Sequence, residues 1–238
     1  MLTLHRWLGT WQKMVDKYLV ATYFYRDLFV EGGLPAHKIM VKPHFIYPDP
    51  GFDPSRPTGD YALYLARLDP EKGIRTMLKA WTKVAIPLKI RGGGRLEEEA
   101  REFIKLNRMN HVEILGNLPE QELTVLVKKA RFLVWPSEGY YETFGMAAVE
   151  SYASGIPVLA SRIGVMTEIV QDGETGLHFD PGDAADLAKK AQWLWDYPDE
   201  AARMGRQARL EYEKKYTPER NYQLLMDIYK KVKAGSLL

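Results

Sequence analysis

A chain of 238 residues can hold one large or two small domains and bury a sizeable core. Its 33 Lys and Arg residues are balanced by 31 Asp and Glu, for a net charge of +2, which argues against nucleic acid as a partner. The sequence contains no cysteine, so disulfides, thiol nucleophiles and cysteine-bound metals are excluded. Together with the lack of a signal pattern and of any apolar run near about 18 residues, this predicts a cytoplasmic protein without a membrane span.

Residues 1–47 do not resemble the start of a domain. Apolar residues recur there at three- and four-residue spacing, which predicts one amphipathic helix with an aromatic stripe formed by Trp7, Trp11, Met14, Val15, Tyr18 and Leu19. We favour a core or interdomain face for this stripe over a membrane-surface helix, since its polar face carries few Lys or Arg residues. Residues 19–46 then predict a strand, a short helix, a Gly-Gly turn and a second strand.

From residue 61 onward, segments of strand length alternate with segments of helix length. Residues 48–60 before them are rich in Pro, Gly and Asp and predict a linker or surface loop. Strict alternation is typical of an α/β fold, a parallel sheet with helices on both faces that binds ligands at the carboxyl ends of its strands. Strands are predicted within residues 61–68, 87–93, 112–116, 131–137 and 157–163, and helices within 72–84, 95–109, 119–130 and 144–154. Two or three helices follow, with breaks at Pro198 and Pro218.

Two cations lie where the first of these strands gives way to a helix. Arg67 and Lys72 could hold a diphosphate, because a guanidinium and an ammonium at a strand terminus supply fixed positive charge. The alternative is a pair of surface cations that cap the strand. At the end of the next strand, residues 92–94 are three glycines, with Gly93 in the centre. They could turn backbone N–H groups toward a phosphate or sugar, or form a plain tight turn, and the sequence leaves both open.

Residues 136–157 carry Glu142 and Glu150 in a largely small and apolar stretch. Glu142 precedes the apolar run and Glu150 lies inside it, on the second turn of a helix that we expect to be largely buried. A buried carboxylate needs partners, since an unpaired one costs several kcal/mol or becomes neutral. The segment is therefore a candidate binding site.

The helix that carries Glu150 is predicted to start near Thr143 or Phe144. Its first backbone N–H groups, around Phe144, Gly145 and Met146, would then be unsatisfied donors at the positive end of the helix dipole. Such donors suit phosphate or sugar oxygens. Gly145 would let a ligand approach the backbone closely.

This segment resembles a known family. The spacing of Glu142 and Glu150, with seven residues between them, Phe144-Gly145 inside and Gly155-Ile156-Pro157-Val158 after, is similar to the E-x7-E segment of retaining glycosyltransferases of the GT-B fold. That group has two Rossmann-like domains and includes glycogen and sucrose synthases. The resemblance covers about residues 20–235 and is specific in residues 136–176. It implies a remnant of the N-terminal acceptor domain in residues 1–47, a linker loop in 48–60 and a nucleotide-sugar-binding Rossmann-like domain in 61–238.

The resemblance also implies an activity and roles for individual residues. It implies transfer of a hexosyl group from a nucleotide diphosphate sugar with retention, this chain supplying the donor-binding half. Arg67 and Lys72 would hold the diphosphate, Glu142 would contact the transferred sugar, and Glu150 would accept hydrogen bonds from the ribose. The donor site would also be lined by Thr143, Phe144, Gly145, Met146 and Gly93. The nucleobase would lie against the loop of Leu118. The departing phosphate would take the acceptor's proton, so no side chain is needed as a general base.

Residues 161–168 match a family loop that often contains two adjacent glycines. Val165 stands in place of the second one, which puts the donor-side contacts of this loop in doubt. At the end of the loop, we expect Glu168 to cap or brace a neighbouring element rather than bind a ligand. The family also implies that the last helix of the chain crosses back to brace the N-terminal domain.

The sequence leaves the partners of the donor site partly open. No Asp-x-Asp triplet or His cluster is present, so neither a cofactor nor a metal is predicted beside the nucleotide-sugar donor. The resemblance implies a sugar, a lipid-linked sugar or a glycan as acceptor, and peripheral attachment to the inner face of a membrane stays open. Two other functions also stay open: an epimerase acting on the nucleotide sugar, and a non-catalytic donor-binding domain that needs a separate acceptor domain.

Overall fold

The computed structural model describes residues 2–55, 59–139 and 142–234. Its N-terminal segment contains three helices and two strands, which are α1 (Leu2–Trp7), α2 (Thr10–Met14), β1 (Tyr18–Val20), α3 (Tyr23–Glu31) and β2 (Ile39–Val41). Strands β1 and β2 pair in parallel, and α3 forms the crossover between them. The strand, helix and strand predicted for residues 19–46 are therefore present.

The single amphipathic helix predicted ahead of them is wrong. The helix is interrupted at Gly9, which lies between α1 and α2, and the backbone becomes extended at Val15. Tyr18 and Leu19, assigned to the helical stripe, belong to β1, because pairing with β2 fixes them in a strand. Exposure of the stripe is high, at 83% for Trp7, so in this chain it is not a core face.

The remainder of the chain builds one larger unit around a six-stranded sheet. Its elements are β3 (Tyr61–Leu65), α4 (Ile74–Trp81), β4 (Leu88–Arg91), α5 (Glu97–Leu106), β5 (Val112–Gly116), α6 (Glu120–Lys128), β6 (Ala130–Trp135), α7 (Met146–Ala153), β7 (Val158–Ser161), α8 (Val165–Ile169), β8 (Gly176–Phe179), α9 (Ala184–Asp196), α10 (Pro198–Lys215) and α11 (Pro218–Lys233). The strand order is β5-β4-β3-β6-β7-β8, and every pair is parallel. This is the doubly wound order of a Rossmann-like sheet.

Helices cover both faces of this sheet, as the alternation predicts. In β3, Ala62 and Tyr64 pack toward α4, α5 and α9, whereas Leu63 and Leu65 pack toward α6, α7 and α10. All five residues of β3 are buried, because a central parallel strand has no solvent-facing side. The sequence analysis assigned neither α8 nor β8, which are five and four residues long.

The C-terminal helices hold the connection between the two parts of the chain. Pro198 and Pro218 each occupy the start of a helix, where the missing N–H costs nothing. On α11, the Asn221 amide donates to the Pro43 carbonyl at 2.5 Å and accepts from the Lys42 ammonium at 2.7 Å. The last helix therefore does return to the segment that follows β2.

On α10, Arg209 fixes the next part of the connection. Its guanidinium binds both carboxylate oxygens of Asp49 at 2.7 Å and also donates to the Ala153 carbonyl at the end of α7. These hydrogen bonds hold the pKa of the Asp49 carboxyl below its usual value. Within the described ranges, no helix combines the length and apolar character needed to cross a membrane.

Candidate active site

The candidate site lies where the strand order reverses. Strands β3 and β6 are neighbours, yet their following connections lead to opposite sides, which opens a crevice at their carboxyl ends. The two connections touch through their backbones: a Cβ on Gly73 would lie 1.7 Å from the carbonyl oxygen of Pro136. Gly73 has φ 70°, so a left-handed glycine lets the start of α4 meet the end of β6.

This contact brings together two residues that are 70 positions apart in the sequence. The Lys72 ammonium lies 2.5 Å from Oε1 of Glu142, and their side chains are only 15% and 16% exposed. The same oxygen accepts from the Ser137 hydroxyl at 3.0 Å and from the Trp135 indole N–H at 3.3 Å. Three donors thus converge on one oxygen of Glu142, and one of them is charged.

Helix α7 begins later than predicted. It starts at Met146, with Gly145 as its N-cap at φ 99° and ψ 54°, because this left-handed backbone cannot continue into a helical turn. Ala148 donates to the Gly145 carbonyl, so the first helical N–H groups are those of Met146 and Ala147, not of Phe144. A Cβ on Gly145 would lie 2.1 Å from the Trp135 ring, so packing as well as ligand access requires glycine here.

Phe144 and Thr143 differ in environment although they are adjacent. The Phe144 ring is 2% exposed and packs edge-on against His44 and Tyr216, at centroid distances of 5.0 and 5.8 Å. Its side chain therefore anchors the connection to the core. Thr143 is exposed beside the crevice.

Arg67 stands apart from the Lys72–Glu142 pair, in a cluster of four charges. It contacts Asp69 at 2.5 Å and Glu71 at 3.4 Å, and Arg95 contacts the same two carboxylates at 3.1 and 3.4 Å. Asp69 is buried, and the hydrogen bond from Arg95 holds the pKa of its carboxyl below the usual value. The side chains of Arg67 and Arg95 are 68% and 72% exposed, so both arginines face the solvent.

The glycines after β4 have a structural reason of their own. A Cβ on Gly92 would lie 1.9 Å from the Ala66 carbonyl oxygen, and the Gly93 carbonyl accepts from the Leu68 N–H at 3.0 Å. The loop is packed against the Arg67 connection, which favours the tight-turn interpretation. In the next loop, the carbonyl of Leu118 accepts from the Arg91 guanidinium at 3.4 Å.

Glu150 lies on a different wall from Glu142. It is half-buried on the second turn of α7 and, with Met146, lines a cavity of about 200 Å³. Leu123 and Thr124 of α6 and residues 45–48 of the connection form the other walls. The structure therefore joins Glu150 and Met146 in one cavity, and Lys72 and Glu142 in one ion pair.

Comparison with known proteins identifies the chain. The family model described as Glycosyl transferases group 1 matches residues 52–211. The chain belongs to this family. An uncharacterized glycosyltransferase of Methanocaldococcus jannaschii is 31% identical over 73% of this chain and 49% of its own length. The chain spans about half the length of the curated relatives it matches.

Solved structures of low sequence identity share the GT-B fold. A glycosyltransferase from Rickettsia africae matches with a TM-score of 0.83 and 20% identity, over 94% of this chain and 66% of its own. The Anabaena protein HepE, solved in complex with UDP and glucose, matches with a TM-score of 0.81 and 17% identity, over 90% and 63%. These likenesses confirm the predicted fold class.

Sequence reasoning missed several residues of this group 1 domain. Trp135 and Ser137, which bind Glu142, and Arg95, which binds Asp69, were not assigned any role. Ser137 stands in the Pro-Ser pair five residues before Glu142, so a signal was present in the motif. In residues 2–55, 59–139 and 142–234, no three His, Asp or Glu side chains gather as a metal site would require.

The bracing role expected for Glu168 is confirmed. Its carboxylate accepts from the backbone N–H groups of Tyr23 and Phe24, at 3.0 and 2.9 Å, and so caps the N-terminus of α3. Burial and the nearby charge of Glu142 together raise the pKa of Tyr25 on the same helix. Glu168 thus fixes the N-terminal segment beside the crevice. In the same loop, Val165, which stands in place of the second glycine of the family pattern, is buried at the start of α8.

Proposed function

We propose that this chain is the donor-binding half of a retaining glycosyltransferase that transfers a hexosyl group from a nucleotide diphosphate sugar. The observation that carries the proposal is the Lys72–Glu142 pair at the switch point of the sheet, next to the start of α7. A cation, a carboxylate and free helix N–H groups are the groups needed for a diphosphate and for the hydroxyls of a sugar. Family membership supports the same conclusion.

In this proposal each residue of the crevice contacts a different part of the donor. Lys72, Arg67 and the N–H groups at the start of α7 stabilise the charge that develops on the leaving diphosphate, where electrostatic catalysis acts. Glu142 binds hydroxyls of the transferred sugar. Glu150 accepts hydrogen bonds from the ribose, and the loop of Leu118 faces the nucleobase. The leaving phosphate takes the proton of the acceptor, which therefore attacks from the face that the phosphate leaves, and this gives retention.

A second candidate function is a donor-binding module that transfers sugar only with a separate acceptor-binding domain. It is favoured by the fact that the chain spans about half of its curated relatives. The two candidates share the donor site and differ in turnover. Incubating the chain with a nucleotide sugar, with and without an added acceptor domain, and measuring released nucleoside diphosphate separates them.

The proposal predicts the behaviour of a Glu150→Gln variant. A carboxylate can accept from both hydroxyls of a ribose diol, and such charge-assisted hydrogen bonds contribute about 1.5–3 kcal/mol each. Glu150→Gln should keep the fold and weaken the best-bound of UDP, GDP and ADP by about tenfold or more in calorimetry. It should also lose the preference over the 2′-deoxy nucleotide. A variant that still discriminates ribose from deoxyribose contradicts the ribose role, whereas a variant changed only in melting temperature supports a structural one.

We also expect donor binding without a divalent cation. The protein cations Lys72 and Arg67 take the place that a metal would have at the diphosphate. Calorimetry of the nucleoside diphosphate should give the same dissociation constant in chelator and in magnesium. A tenfold loss of affinity in chelator would show that a metal takes part.

A further inference from the structure

Lys72 faces a conflict between its two partners. If the proposed function holds, its ammonium binds the donor diphosphate, yet the structure shows the same ammonium in contact with Glu142 at 2.5 Å. The pair is largely withdrawn from water, at 15% and 16% exposure, so the attraction is not strongly screened. Because the donor phosphate and Glu142 are both anions, they compete for the charge of this one ammonium.

The surroundings of Glu142 make an exchange of partners feasible. If Lys72 moves to a phosphate, the carboxylate keeps two neutral donors on the same oxygen, the Ser137 hydroxyl and the Trp135 indole N–H. Both donors are fixed at the end of β6, with exposures of 2% and 5%. A buried carboxylate without any partner would be costly, and these hydrogen bonds offset that cost.

We propose that Ser137 and Trp135 are positioning residues that hold Glu142 in place while Lys72 changes partner from Glu142 to the donor diphosphate. Glu142 is then an internal competitor of the nucleotide in the empty site and a free acceptor for the sugar hydroxyls in the loaded one. The exchange also aids release, since Glu142 recovers Lys72 as the product diphosphate leaves. This inference rests on the proposed function and adds the partner exchange to it.

The inference predicts opposite effects from two neighbouring variants, measured with the best-bound of UDP, GDP and ADP, which carries no sugar. Glu142→Gln removes the competing charge, so the diphosphate should bind about five- to tenfold more tightly. Ser137→Ala should bind it about five- to tenfold more weakly, because the Ser137 hydrogen bond is worth more once Glu142 has lost its cation. Ser137→Thr, which keeps the hydroxyl, should recover most of the affinity.

Controls separate positioning from a general effect on structure. Ser151→Ala removes another buried hydroxyl, which donates to the Ala147 carbonyl and does not touch Glu142, and should leave the affinity unchanged. In the Glu142→Gln background, Ser137→Ala should no longer weaken binding, since no charge is left to hold. Both measurements use isothermal calorimetry on the whole chain.

The possible outcomes decide between the inference and the proposed function. If the diphosphate binds the natural chain but Glu142→Gln weakens it or leaves it unchanged, the partner exchange is wrong and the donor site stands. An effect of Ser137→Ala that persists in the Glu142→Gln background also overturns the exchange. If none of the three diphosphates binds the natural chain, the proposed function fails and the inference falls with it.

Discussion

Replacing Gly73 with alanine is expected to lower the free energy of unfolding by about 4 kcal/mol or more, or to prevent folding. The new Cβ would lie 1.7 Å from the Pro136 carbonyl oxygen, and neither backbone can yield without moving α4 or β6. The left-handed backbone at φ 70° adds about 1–2 kcal/mol of strain for any residue with a side chain. Chemical denaturation measures the loss.

Gly173 provides a matched control for this substitution. Its φ of 78° is close to that of Gly73, but a Cβ there would meet nothing within 4 Å. Gly173→Ala therefore carries the backbone strain alone and should cost about 1–2 kcal/mol. Equal losses in the two variants would show that the contact with Pro136 does not determine the stability. A folded Gly73→Ala protein should also have lost nucleotide affinity, since this contact places Lys72 beside Glu142.

Replacing Lys72 with methionine is expected to affect both binding and stability. Loss of a charge-assisted contact to phosphate, about 1.5–3 kcal/mol, should weaken the nucleoside diphosphate by about ten- to a hundredfold. The empty protein should also lose about 2 kcal/mol of stability, because Glu142 is 16% exposed and would lose its cation. The sequence alone gives no reason for this second effect.

A double variant separates the two effects of Lys72. In Lys72→Met with Glu142→Gln, no charge is left unpaired, so stability should recover while nucleotide affinity stays low. Lys79→Met, which removes an exposed lysine on α4 outside the crevice, controls for the change in net charge and should alter neither quantity. Calorimetry and denaturation of the four proteins test this, and a double variant that binds as tightly as the natural chain would remove Lys72 from the donor site.

Local sequence patterns do not predict which side chains meet in the crevice. The E-x7-E spacing marked Glu142 and Glu150 as one motif, but the structure places them on different walls, one in the ion pair and one in the cavity of α6 and α7. Arg67 and Lys72 were likewise grouped by their shared strand end. Their partners differ, since Arg67 forms ion pairs with Asp69 and Glu71, whereas Lys72 contacts Glu142. Side-chain direction, not sequence separation, decides such contacts.

The sequence by itself determined the α/β alternation, the helix breaks at Pro198 and Pro218 and the segment that carries the family signature. These features are local, because strand and helix periods, proline and a fixed motif all act over a few residues. The tertiary structure alone decided that β3 and β6 are neighbours, that Gly73 touches Pro136 and that Trp135 and Ser137 bind Glu142. It also divided residues 7–19 between α1, α2 and β1, because pairing with β2 outweighs a helical pattern. Such contacts join residues far apart in the sequence, and only the packing of the whole sheet fixes them.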